Sequence, residues 1–131
     1  MKLHADSAQA FSVQSHGPGW IAVGGERITH HVVLSSSGER RAWGCTGFDE
    51  LNGHHFNQLL ELNPELVIFG SGSRLRFVHP SLYASLISHR VGMETMDTAA
   101  ACRTYNILAQ EGRKVVAALL IEPGTQPPNG C

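Results

Sequence analysis

The second half of the chain alternates strand-like and helix-like segments, and this pattern constrains the fold more than any other feature. "ELVIFG" is a short, wholly apolar run of the kind buried on both faces of a sheet. "HPSLYASLISHRVG" follows with helical spacing through Leu82, Tyr83, Leu86 and Ile87, Pro80 in its first turn and Gly92 placed to end it. "METM" reads as a short strand. "DTAAACRTYNILAQEG" reads as the clearest helix, with Asp97 or Thr98 as N-cap and Gly112 as its stop. "KVVAALLIE" closes the series as a buried strand. Strand–helix–strand–helix–strand predicts right-handed crossovers onto a mostly parallel sheet.

The first half reads differently. "FSVQS", "WIAV", "RITHHVVLS" and "RRAWG" are rich in β-branched and aromatic residues, and "HGPGW" and "SSSGE" look like turns between antiparallel neighbours. "HFNQLLEL" then puts Phe56, Leu59, Leu60 and Leu62 on one helical side and stops before Pro64. The expected class is a layered α/β single domain, with a mixed, mostly parallel central sheet, flanking helices and an N-terminal antiparallel β elaboration. Residues 1–122 are expected to form it, with 123–131, "PGTQPPNGC", as a disordered tail.

Composition removes several functions. Ten basic and eleven acidic residues nearly cancel, so the basic excess of a nucleic-acid binder is missing. Cys45, Cys102 and Cys131 are widely spaced and odd in number, which fits free thiols in a reducing compartment. "MKLHADSAQA" lacks the apolar stretch of a secretory signal, and "VVAALLI" is far too short to span a membrane. A cytoplasmic protein without a transmembrane segment, and a monomer, are expected.

Gly70-Ser71-Gly72 ends an apolar strand, but Leu75 stands where a dinucleotide fingerprint needs its third glycine. No Gly-Lys-Ser/Thr phosphate loop occurs, and no Gly-x-Ser-x-Gly elbow surrounds Ser71 or Ser73. The glycines suit a tight turn or a close approach by another molecule, and both readings stand. His30-His31 and His54-His55 point apart whether extended or helical, so no metal site is expected. His79, before Pro80, suits a helix start. Cys102 falls on the buried stripe of its helix with no nearby histidine, which disfavours a nucleophile.

One anion-binding arrangement is conceivable. If "LVIF" and "METM" share a sheet, their carboxyl ends bring Gly70, Ser71 and Gly72 beside Asp97 and Thr98, where the last helix begins with free amides. Arg74, Arg76 and Arg103 could complete the pocket. Asp97 argues against it, because its carboxylate can occupy the helix end itself. Arg103, Asn106 and Gln110 share one helical side, which is also what a solvated face looks like.

"GWIAVGGERITHHVVLS", "PELVIFGSGSRLRF" and "MDTAAACRTYNILAQEGRKVVAALL" together resemble a family of small domains without a defined biochemical activity. The family includes a mitochondrial assembly factor for respiratory complex I (NADH dehydrogenase assembly factor three) and the adipogenesis-associated Mth-domain protein. The resemblance runs from about Phe11 to Ile121. It implies a layered α/β fold with a mixed central sheet; it does not imply a reaction, and the mitochondrial member acts by binding partners during complex assembly. No cofactor is expected. The family's motif positions fall on Gly70, Gly72, Met96, Asp97, Thr98, Arg103, Tyr105, Asn106, Glu111 and Arg113. Because "MKLHADSAQA" is no mitochondrial presequence, a bacterial protein is expected. The candidate binding residues are therefore Gly70, Ser71, Gly72, Arg74, Asp97, Thr98, Arg103, Tyr105 and Asn106, with no catalytic residue assigned. The expected function is a non-enzymatic binding domain that assists assembly of a respiratory or membrane complex. The alternative is a small-molecule or anion-binding protein, or an enzyme, using a pocket at the Gly70–Gly72 loop.

Overall fold

The computed structural model of the protein describes residues 12–123. Among the described residues, eight strands form two sheets. β1 (Val13–Gly17), β2 (Trp20–Val23) and β3 (Glu26–Ile28) make a three-stranded antiparallel meander. β4 (Val32–Ser35), β5 (Arg40–Ala42), β6 (Leu66–Gly70), β7 (Gly92–Met96) and β8 (Val115–Leu119) form the central sheet, in the order β5-β4-β8-β6-β7. The helices are α1 (Gly53–Asn57), α2 (Ala84–Ser88) and α3 (Thr98–Gln110), with 3-10 turns at Phe48–Glu50, Gln58–Leu62 and Pro80–Tyr83.

The central sheet is mixed, with two parallel and two antiparallel pairings. β6 pairs in parallel with β7 and β8, whereas β4 pairs antiparallel with β8 and β5. The difference from expectation lies in "RITHHVVLS", which is two strands. β3 completes the small sheet, and β4 crosses to the large one. The break falls at His31, whose ring Nδ1 accepts the Ile121 amide at 2.9 Å while its carbonyl accepts the Trp43 amide at 3.0 Å. The imidazole thus takes the place of a strand partner at the end of β8.

Alternation along the central strands builds two apolar layers. Val67, Phe69, Val116, Ala118 and Val33 face one side, under Trp43, Phe56, Leu59 and Leu86. Trp43 packs edge-on against Phe56 and Phe69 at 5.7 and 6.0 Å, and its indole N–H donates to the His55 carbonyl. Ile68, Ala117, Leu119, Val32 and Leu34 face the other side, under Ala101, Cys102 and Tyr105 of α3 and Val13, Ile21, Val23 and Ile28 of the meander. β6 therefore leads to α2 on one face, and β7 leads to α3 on the opposite face.

Local signals explain the termini. Asn52 caps α1 through the His54 amide, and the His55 ring accepts the Asn52 amide in return, which employs the histidine pair in capping. His79 caps the turn at Pro80 by accepting the Ser81 amide. Gly112, with φ of +82°, ends α3 as expected. Gly92 does not end α2; it opens β7 opposite Leu66. The stop is Arg90, at φ +63°, in a Schellman arrangement where Val91 N–H reaches the Leu86 carbonyl and Arg90 N–H the Ile87 carbonyl. The segment before it is also less regular than its periodicity suggests, since the 3-10 turn gives way to α2 at Tyr83 and Ile87 stays exposed. Residues 1–11 and 124–131, which include Cys131 and nearly all of the expected tail, lie outside the described residues.

Candidate functional site

Gly70 and Gly72 have separate reasons to be glycine. A Cβ on Gly70 would stand 2.8 Å from Leu119 Cδ2, 3.0 Å from Thr98 Oγ1 and 3.2 Å from Ala101 Cβ, so its absence lets the first turn of α3 settle onto the sheet. Gly72 has φ of +106°, and a Cβ there would lie 2.6 Å from Arg76 Nη2 and closer still to the Glu122 carboxylate. The two parallel carboxyl ends meet here as expected. Ser71 N–H donates to the Met96 carbonyl, Thr98 N–H to the Gly72 carbonyl, and Gly72 N–H to Thr98 Oγ1, each at 2.8–2.9 Å. Thr98 Oγ1 in turn donates to the Leu120 carbonyl at 2.8 Å. The elbow is closed on itself.

Ser71 is fully buried and serves the next stretch of chain. Its hydroxyl donates to the Arg74 carbonyl at 2.7 Å and accepts the Arg76 amide at 2.9 Å. The Arg76 guanidinium donates twice to the Ser71 carbonyl, pairs with Glu122 at 2.5 Å and lies over the Phe48 ring. Glu122 also accepts the Ser73 amide at 2.9 Å. Burial alone would raise the Glu122 carboxyl, but the Ser73 amide and Arg76 outweigh it and hold the group below the usual carboxylate range.

Beside this elbow lies a cavity of about 320 Å³. Its walls are the β1–β2 hairpin from His16 to Ile21, Gly72 and Ser73, the start of α3 from Asp97 to Ala99, and the segment after β8 from Leu120 to Glu122. It opens next to the carboxyl ends of β6 and β7, whose connections leave to opposite faces; ligands of open α/β sheets favour such crevices. Of the residues singled out from sequence, Gly72, Asp97 and Thr98 line it, while Gly70 and Ser71 support it from behind.

The others stand elsewhere. Arg74 is exposed and contributes its carbonyl to Ser71. Arg103 is exposed on α3, outside the cavity lining, and makes no ion pair among the described residues. Tyr105 is buried in the core, where burial pushes its phenol well up. Asn106 binds both backbone groups of Val13, its Oδ1 accepting the amide at 2.9 Å and its Nδ2 donating to the carbonyl at 2.8 Å, which ties the meander to α3. Glu111 and Arg113 belong to the far end of α3, and Arg113 pairs with exposed Glu65. Cys102 is buried too, and burial pushes its thiol up to about 12, so it is not a nucleophile at neutral pH.

Four of the nearby donors that an anion would need are already used. The amides of Gly72, Ser73, Thr98 and Ala100 bind Thr98 Oγ1, Glu122, the Gly72 carbonyl and Asp97 Oδ1 respectively. Arg76 is committed to Glu122 and Ser71. The convergence of Arg74, Arg76 and Arg103 on one pocket does not occur.

Sequence reasoning missed four participants. Glu122 sat at the expected end of the domain, with nothing local to mark its tie to Arg76. Trp20 looked like an ordinary strand residue, although "GPGW" at a hairpin tip could have flagged it. Leu75 and Phe77 are 53% and 69% exposed. They flank Arg76 at alternate positions, so fixing Arg76 inward turns both apolar side chains out.

Fold and elbow together define a small mixed α/β domain in which a β meander and one long helix cover the same face of the sheet. Solved structures of this kind include a protein of Bordetella parapertussis, with a TM-score of 0.80 and 36% identity over 85% of this chain and 95% of that one. A Mth938-like domain of Bordetella pertussis gives 0.78 and 28%, covering 89% of each chain. The chain belongs to the family described as a protein of unknown function (DUF498/DUF598), which it matches over residues 13–120. Among its relatives, the mouse NADH dehydrogenase [ubiquinone] 1 alpha subcomplex assembly factor 3 is 27% identical over 124 residues, 93% of this chain and 66% of that protein. An uncharacterized protein of Rhodobacter capsulatus is 35% identical over 120 residues and is covered to 92%.

Proposed function

We propose that this chain is a non-enzymatic, cytoplasmic protein-binding domain that assists assembly of a respiratory or membrane protein complex. The relatives named as assembly factors support the reading. The observation that carries it is the Leu75–Phe77 loop. Two large apolar side chains project into solvent from a segment whose backbone is tied down at Ser71 and whose central arginine is locked to Glu122. Apolar groups exposed together mark interaction surfaces, and a loop held in place beforehand binds with less ordering cost. No helix among the described residues is long and apolar enough to cross a membrane.

The test is recovery of partners from native-host membranes by tagged wild type and by Leu75→Ser/Phe77→Ser. Subunits of a membrane complex should co-purify with wild type and be lost with the variant, whose melting temperature should hold because both side chains are exposed. Equal recovery by both proteins would reject the loop as the docking element.

A further inference from the structure

We infer that the cavity between Trp20 and Asp97 accepts a lysine or arginine side chain from the docked partner, with the apolar stem along the hairpin wall and the cation at Asp97. This rests on reading the Leu75–Phe77 end as a protein-docking face, because the same loop leads from the cavity rim at Ser73 to Phe77.

The walls supply the stem site. Trp20, Ile21, Leu120 and Ile121 line the cavity, and its volume of about 320 Å³ exceeds that of any single side chain. Long basic side chains bury their methylenes against such surfaces while the charged head seeks a polar partner. Charge then selects the sign of the head group. Asp97 and Glu122 are the acidic residues of the lining, and no lysine or arginine is among the lining residues. Glu122 is neutralised by Arg76 and both its oxygens are taken. Asp97 uses Oδ1 to cap α3, and its Oδ2 has no partner among the described residues. A free carboxylate oxygen at the edge of a partly apolar cavity attracts a cation more strongly than it would in open water. Arg27 stacks on Trp20 at 3.9 Å but is not part of the lining, so it does not fill the position. Anions are disfavoured by the two acidic side chains of the lining, and the amides of Gly72, Ser73 and Thr98 are engaged.

The experiment is an NMR titration of the full chain with three probes: N-acetyl-lysine methylamide, its uncharged analogue N-acetyl-norleucine methylamide, and inorganic phosphate. The lysine probe should shift the amide signals of Gly19, Gly72, Ser73 and Ala99 saturably, and bind about tenfold more tightly than the norleucine probe. Asp97→Asn keeps a good N-cap and so the fold, and it should bring lysine affinity down to the norleucine value. Equal binding of lysine and norleucine, preferential shifts with phosphate, no shift up to the solubility of the probe, or unchanged lysine affinity in folded Asp97→Asn would each overturn the inference. Loss of the cation preference leaves the Phe77 docking reading intact, and failure of partner recovery through Phe77 leaves this titration unaffected.

Discussion

Arg76 and Glu122, 46 residues apart in sequence, meet at 2.5 Å and lock the loop after β6 to the segment after β8. The Glu122 carboxyl titrates below the ordinary carboxylate range in the folded protein. Its stabilisation is therefore complete above the unfolded value of about 4.3 and disappears as the pH falls through the lower folded value. Glu122→Gln should cost about 1–2 kcal/mol at pH 7, and the gap to wild type should close in strong acid. Urea unfolding across pH 2–7 reads this directly, and a gap independent of pH would contradict it.

The two elbow glycines should be intolerant for different reasons. Gly70→Ala pushes a methyl group into Leu119 and Ala101 and should cost about 1–3 kcal/mol by overpacking. Gly72→Ala adds a clash with Arg76 and Glu122 to a positive φ and should cost about 2 kcal/mol or more. Gly25→Ala is the control, with φ of +82° and open space around it, and should lose only about 1 kcal/mol. Denaturant midpoints give the ranking.

Arg90 holds a left-handed conformation at the end of α2, where glycine carries no Cβ penalty. Arg90→Gly should therefore raise stability, by up to about 1 kcal/mol, since Arg90 is exposed and makes no ion pair among the described residues. A thermal melt that falls would show that the arginine has a partner role instead.

Cys102 should react with a thiol reagent only as fast as the protein unfolds, because it is buried and its thiolate is suppressed. Cys45 is half-buried, and its thiol is also raised by burial, so it should label slowly but ahead of Cys102. Mass mapping of labelled peptides over time measures both.

Elements whose signals were local were legible in the chain. "ELVIFG" and "KVVAALLIE" are central because nothing but burial on both faces explains unbroken apolar runs, and Asp97 and Gly112 announce the ends of α3. "VVLS" carried the same signal, and its four buried residues show it. It was obscured by its continuity with "RITHH", since strand propensity does not mark a change of sheet. The α2 stop was missed because the chain offers Gly92, while the geometry closes two residues earlier on Arg90. At the site, pairing of β6 with β7 was readable and so was the meeting of Gly72 with Thr98. Arg103 was misplaced because helical spacing shows which residues share a side, but not which side faces the neighbouring loop. Glu122 and Trp20 come from the two ends of the described chain, and only the folded topology brings them to one cavity.

Docking through the Leu75–Phe77 loop is tested most directly by placing a photo-reactive phenylalanine analogue at position 77 in the native host, with position 107, also exposed but on α3, as the control. Illumination should give an adduct at 77 with a subunit or assembly intermediate of a respiratory or membrane complex, and none at 107. Absence of an adduct at 77, or equal adducts at both positions, would contradict the account.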